Sequence, residues 1–191
     1  FRRGPIEVFV LDTRTFAATE PSPFLRHHAS LLGNKQWKWL LKGLTESTAP
    51  VKVIACGMIW NEATRPNKQD HWGSYPHERV ALDRLIGQER IPGVVLVSGD
   101  IHRTRVLRYE TIETAGYPLT ELITSPIHAG VIDGANAPHP ALVHDSGEPH
   151  AFLLVTVDTT VTPPTFTAQF QNEAGRELYS LTLDTEMLSG A

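Results

Sequence analysis

The chain has 191 residues, a formal net charge of −4, 41% apolar and 20% charged residues, and one cysteine. That length fits one domain of ordinary size, and the apolar share supplies a core, so wholesale disorder is excluded. The acidic balance argues against a general nucleic-acid binder, one cysteine excludes an internal disulfide, and no apolar run approaches the roughly 20 residues of a membrane span.

The chain starts at Phe1 and enters a strand almost at once, Ile6-Glu-Val-Phe-Val-Leu11, rich in β-branched and apolar residues. So abrupt an entry suits a shortened chain or the downstream piece of a longer one. Asp12-Thr-Arg14 follows at the strand's carboxyl end. The Arg14 guanidinium could clamp an oxyanion, because it matches phosphate oxygens in bidentate fashion, or it could pair with Asp12 and tie the strand to a loop. Residues 15–33 hold Pro21, Pro23 and the adjacent His27 and His28 without a period, which predicts a long loop. Residues 34–47 predict a helix with Asn34 as N-cap and Trp37, Leu40, Leu41 and Leu44 as one apolar stripe. Lys35, Lys38 and Lys42 fall on or near its outer face, and Trp39 falls outside the stripe.

Residues 51–59 predict a second buried strand. The loop 60–76 mixes polar and aromatic residues in Asp70-His-Trp-Gly-Ser-Tyr75, as binding loops often do. Residues 77–90 predict a second helix, with Leu82, Leu85 and Ile86 inward and Glu78, Arg79, Asp83, Arg84 and Glu89 mostly solvated. Pro92 stops it. Then comes the central stretch, Gly93-Val-Val-Leu-Val-Ser-Gly-Asp100-Ile-His102. Its unbroken apolar run reads as a strand buried on both faces. Asp100 and His102 follow at the carboxyl end, where layered α/β proteins collect ligands. Carboxylate oxygens suit hard cations and imidazole suits iron, zinc or manganese, so this is half of a metal site. The bland alternative is that the two pair with each other or with backbone.

Residues 103–110 and 120–124 predict two further strands. The segment 126–150, rich in Gly, Pro, Ala and His, predicts a long loop whose His128, His139, His144 and His150 belong to a surface lid rather than to a ligand set. Residues 152–158, 165–171 and 178–183 predict three terminal strands, the last two joined by a hairpin at Asn172-Glu-Ala-Gly175. Strand–helix–strand–helix–strand followed by a run of strands points to layered α/β with a mixed sheet or sandwich. If the early strands are parallel, Asp12-Thr-Arg14, Cys56-Gly57, Asp70-His71 and Asp100-Ile-His102 gather at one rim.

The order of motifs resembles the alkaline phosphatase D (PhoD-like) branch of the calcineurin-like metallophosphoesterases. The matching pieces are Phe9-Val-Leu-Asp-Thr-Arg14, Leu32-Gly-Asn-Lys-Gln-Trp-Lys-Trp-Leu40, Asp70-His-Trp-Gly-Ser-Tyr75 with Glu78-Arg79, and Val95-Leu-Val-Ser-Gly-Asp-Ile-His102. The resemblance implies that residues 1–191 are the carboxyl-terminal part of a single metallophosphatase domain, itself part of a four-layer αββα sandwich with mixed sheets. It implies a multinuclear centre of iron with calcium, or another divalent pair, hydrolysing phosphate mono- or diesters. Gly99-Asp100-Ile-His102 matches the family's Gly-Asp-x-His, so Asp100 and His102 would ligate two different metals. Arg14 would add a catalytic positive clamp, and Trp72 and Tyr75 would shape the substrate cleft.

The family's earlier ligand motifs have no match in this chain, so the resemblance also implies an amino-terminal polypeptide that supplies the remaining ligands. It tilts localisation towards the periplasm or the cell exterior. Cys56 stands where relatives place a polar residue; it could be a soft ligand or a buried structural thiol. Two rival functions stay open: a hydrolase with Cys56 as nucleophile and one of nine histidines as base, or a non-enzymatic fragment.

Overall fold

A computed structural model describes residues 1–63 and 68–189. Strands β1 (Arg2–Arg3), β2 (Ile6–Leu11), β3 (Val51–Cys56), β4 (Val94–Ser98), β5 (Thr104–Arg108), β6 (Thr120–Ile123) and β7 (Leu142–Ser146) form one sheet, in the order β1-β2-β3-β4-β6-β5-β7. Strands β2, β3, β4 and β6 run parallel, while β1 and β5 run antiparallel to their neighbours. Leu11 pairs with Cys56, Ala55 with Val97, and Ser98 with Ile123, so these strands end at one level. Strands β8 (Phe152–Asp158), β9 (Thr165–Gln171) and β10 (Glu177–Asp184) form a second, antiparallel sheet in the order β10-β9-β8.

Alternation along the parallel strands sorts their side chains onto two faces. Phe9, Leu11, Ile54, Val94 and Leu96 face helices α1 (Gly33–Glu46) and α2 (Pro76–Gln88), and meet Trp37, Leu40, Leu44, Leu82 and Ile86. Val51, Val53, Val95, Val106 and Leu122 face the second sheet and meet Phe166, Ala168, Phe170 and Leu183. A short helix α3 (Ile112–Ala115) packs beside α2. This is the mixed α/β arrangement the sequence predicts; the described residues supply one helical layer and both sheets.

Several local expectations change. Helix α1 begins one residue before Asn34, and Asn34 is not its N-cap. Glu20 does the capping from the preceding loop, accepting the Asn34 backbone N–H at 2.8 Å, while the Ser30 hydroxyl accepts the Gly33 N–H at 2.8 Å. Strand β3 stops at Cys56 rather than residue 59. The segment 126–150 is not all loop: β7 extends the sheet beside β5. Its sequence, Leu142-Val-His-Asp-Ser146, is too polar to announce a buried strand, and it lies at the sheet's edge.

Glu78 and Asp83 are buried instead of solvated, because α2 is covered on more than one side. Glu78 accepts the backbone N–H of Leu31 at 2.8 Å. Asp83 has an oxygen with no partner, and burial pushes its carboxyl up from 3.8 to about 7, against the pull of Arg79. The carboxyl is neutral in the folded chain at low pH and must ionise in a buried place as pH rises. Its folded value exceeds the unfolded one, so the associated stability is full below the unfolded value and is lost as pH climbs through about 7. Asp83→Asn removes that loss. In urea unfolding, the variant should match the parent near about pH 4 and exceed it by about 2–4 kcal/mol near about pH 8.

One buried carboxylate fastens the rim. Glu121 on β6 is fully buried. It accepts hydrogen bonds from the Ser98 hydroxyl (2.5 Å), the Trp60 backbone N–H (2.8 Å), the Tyr109 hydroxyl (2.5 Å) and the Asn61 amide (3.4 Å). Burial pushes the Glu121 carboxyl up, and the donors from Ser98, Tyr109, Trp60 and Asn61 oppose it. Ser98 closes β4 immediately before Gly99-Asp100, and Trp60 and Asn61 lie in the loop after β3. Glu121→Ala would leave these donors buried and unpaired. It should destabilise the fold by about 3 kcal/mol or more in urea unfolding, and speed hydrogen exchange at the Trp60 amide.

Candidate active site

The turn after β4 carries the two principal candidates. Asp100 and His102 both adopt left-handed backbone, with φ of 70° and 58°, while Ile101 between them is 2% exposed and sits in the helix-side core. Left-handed geometry is strained for residues other than glycine. Burial of Ile101 holds the turn in that shape.

Four charged groups meet here. The Lys68 ammonium lies 2.5 Å from the Asp100 carboxylate and 3.6 Å from that of Asp70. The Arg14 guanidinium lies 3.0 Å from Asp70 and 4.0 Å from Asp100. Burial alone would raise the Asp70 carboxyl, but the hydrogen bond from Arg14 and the charge of Lys68 outweigh it and hold Asp70 below its ordinary value. Asp12 is not the partner of the Arg14 side chain. Its carboxylate instead accepts the backbone N–H groups of Arg14 (2.9 Å) and Thr15 (2.8 Å), shaping the turn that aims Arg14. Gln36 of α1 clasps the Asp12 backbone from both sides: its carbonyl accepts the Asp12 N–H and its amide donates to the Asp12 carbonyl. A helix residue thereby places the end of β2.

The imidazole of His102 is oriented from the loop 126–150. Its Nδ1 lies 2.6 Å from the Gly130 carbonyl oxygen. A carbonyl only accepts, so Nδ1 carries the proton and Nε2 keeps a free lone pair. The Gly130 N–H in turn donates to His128 Nδ1 at 2.8 Å, and the His128 ring stands edge-on to His102, 4.9 Å between centroids. The loop itself is pinned by Arg105, which is fully buried. Its guanidinium donates to the Ala63 and Ala137 carbonyls at 2.7 and 2.6 Å and pairs with Asp145, which Arg103 also grips.

The other predicted residues take different places. Trp72 has no accessible surface: it packs against Trp60 with the rings tilted, 4.5 Å between centroids, and meets Trp37 edge-on at 6.0 Å. A side chain so enclosed touches no substrate, so Trp72 corrects from a cleft wall to an internal support of its loop. Tyr75 is half-buried, with its ring 6.4 Å from that of His77, and it shares no hydrogen bond with the Arg14, Asp70 and Asp100 group among the described residues. Cys56 donates to the Met58 carbonyl at 3.0 Å, and burial pushes its thiol up to about 11. Such a thiol is a poor nucleophile at neutral pH, which removes the main support for a cysteine hydrolase. Of the four loop histidines, His128 reaches the turn, whereas His139 meets Tyr109, His144 stacks on Tyr179 and His150 pairs with Glu173.

Asp70 and Lys68 are the residues that sequence reasoning underweighted. Asp70 opens the loop motif Asp70-His-Trp-Gly-Ser-Tyr75, whose sequence alone gives its carboxylate no partner. Lys68 carries no local pattern and only the folded chain brings its ammonium to Asp100.

Asp100 and His102 suit a metal pair. The Asp100 carboxylate already binds a cation, the Lys68 ammonium, and the free Nε2 of His102 is the atom a metal takes from a neutral imidazole. The shell is partial: among the described residues, no three His, Cys, Asp or Glu side chains are grouped so as to hold a metal ion.

Comparison with known proteins gives the family and the fold. No curated protein matches the chain in sequence. A solved structure of PhoD superposes with a TM-score of 0.68 at 20% identity, covering 96% of this chain and 40% of that one, which establishes a shared fold. The chain thus spans less than half the length of that PhoD chain. The family model for PhoD-like phosphatases matches residues 1–178, nearly the whole of the sequence; the chain belongs to the PhoD-like phosphatase family.

Proposed function

We propose that this chain is the carboxyl-terminal part of a metal-dependent hydrolase of phosphate mono- or diesters, and that it contributes Asp100 and His102 to a multinuclear centre. The observation that supports the reading is the turn after β4, which presents a carboxylate, Asp100, and an imidazole, His102 with its Nδ1 engaged by the Gly130 carbonyl, two residues apart at the carboxyl end of a buried parallel strand. Membership of a phosphatase family supports the reaction class. Iron with calcium, or another divalent pair, suits a carboxylate and an imidazole presented by one turn. The remaining ligands would come from an amino-terminal polypeptide of the same enzyme.

When bound, the metals would polarise the phosphoryl oxygens, neutralise their charge and acidify an attacking water. The chain's own residues do the positioning. Arg14 is 66% exposed at its side chain, free to leave Asp70 in part and take a phosphoryl oxygen in its planar fork. Asp70 holds that guanidinium near the turn until substrate arrives. Gly130 fixes the His102 ring so that Nε2 needs no reorganisation to accept a cation.

In the complete enzyme, Asp100→Ala or His102→Ala should lower kcat by at least about 100-fold and reduce bound metal per molecule, with an unchanged circular dichroism spectrum. Undiminished hydrolysis by either variant, with metal content intact, contradicts the assignment.

A further inference from the structure

Gly130 stands between two imidazoles and treats them oppositely. Its carbonyl accepts the Nδ1–H of His102 at 2.6 Å, while its own N–H donates to His128 Nδ1 at 2.8 Å. A ring nitrogen that accepts carries no proton, so the proton of a neutral imidazole then sits on the other nitrogen. His102 is left with a bare Nε2, and His128 with an Nε2–H. One peptide group thereby sorts two neighbouring rings, 4.9 Å between centroids and edge-on, into an acceptor and a donor. The fit is tight. A Cβ at Gly130 would lie 2.7 Å from the His128 ring and 3.7 Å from His102 Nδ1, so a larger residue has to displace His128. Two backbone hydrogen bonds hold the segment from its other side: the His150 N–H donates to the His128 carbonyl at 3.1 Å, and the Ala151 N–H to the Pro126 carbonyl at 2.8 Å. The His128 side chain nevertheless belongs to an exposed residue, and among the described residues nothing accepts its Nε2–H.

We propose that His128 is a substrate-binding residue, donating its Nε2–H to an oxygen of the phosphate ester bound beside His102. The inference rests on the reading that Asp100 and His102 belong to a phosphoesterase centre, and it adds a group that grips the substrate from the loop 126–150. Metals take the lone pair of a bare ring nitrogen, which His102 offers at Nε2 and His128 does not. The oxygens of a phosphate ester only accept, and a hydrogen bond to an anionic oxygen is stronger than one between neutral groups. A purely structural His128 would do no more than cap its own turn, with Nδ1 taking the N–H two residues on. Asparagine makes the same cap, because its Oδ1 takes the place of Nδ1, but it has no atom where Nε2 stands. The two roles are therefore separable by one substitution.

The test uses the complete enzyme. Nitrogen NMR of its metal-free form at mildly alkaline pH should show His128 protonated at Nε2 and His102 at Nδ1. With metal restored, His128→Asn should bind inorganic phosphate about tenfold more weakly and lose kcat/KM for para-nitrophenyl phosphate by a similar factor, with bound metal per molecule unchanged. His128→Leu, which loses cap and donor together, should bind phosphate no better than His128→Asn. Parental phosphate affinity in His128→Asn overturns the proposal, because the ring then only caps its turn. Loss of metal from His128→Asn overturns it too, because the ring is then a ligand, and so does a His128 protonated at Nδ1. Phosphate affinity is read without turnover, which keeps the two readings apart. Full activity of Asp100→Ala, with phosphate binding still weakened by His128→Asn, would sink the metal-centre reading and leave the His128 contact standing. An inactive Asp100→Ala beside an unaltered His128→Asn would sink the contact alone.

Discussion

Parallel pairing ends β2, β3, β4 and β6 at one level, and the candidate site depends on that alignment. A strand end presents backbone and side chains that the sheet no longer uses. With Leu11 beside Cys56, and the next strands in step, the segments leaving the sheet at residues 12–14, 57–63 and 99–102 emerge side by side. Burial of Ile101 then forces Asp100 and His102 out of the core on either side of it. The strained backbone of both residues is maintained because the apolar side chain between them has a better place inside than out.

Electrostatics at the rim are balanced before any ligand arrives. Two carboxylates, Asp70 and Asp100, face two cations, Arg14 and Lys68. The Arg14 pairs, with a guanidinium side chain 66% exposed, contribute little to stability, on the order of 1 kcal/mol or less each. Their value is positional. In the proposed reading, Arg14 would exchange a carboxylate for a phosphoryl oxygen, and Asp100 an ammonium for a metal ion. The rigid parts lie behind them, in the buried acceptor Glu121 and the buried donor Arg105, each of which joins segments far apart in the chain.

Much of this was legible in the sequence where apolar pattern and period speak directly. The strands at residues 6–11 and 94–98, the stripe of α1 and the three terminal strands all follow from runs and alternation. Asp100 and His102 were visible as polar residues placed at once after a buried run. What was hidden depends on several elements packing together. Glu78 and Asp83 sit on a helix covered from more than one side, so a charged residue there no longer means solvent. Trp72 reads in sequence like a binding aromatic because it stands among polar residues, yet Trp37 and Trp60 pack against it inside the core. His128 lies far along an irregular segment, and only the Gly130 backbone brings it to His102.

The most direct measurement is anomalous X-ray diffraction from crystals of the complete enzyme, recorded at the absorption edges of the bound metals. A metal within bonding distance of the Asp100 carboxylate and another at His102 Nε2, with the Lys68 ammonium displaced from Asp100, is the result expected. Metals bound elsewhere, with Lys68 still resting on Asp100 and His102 bare, would contradict the account.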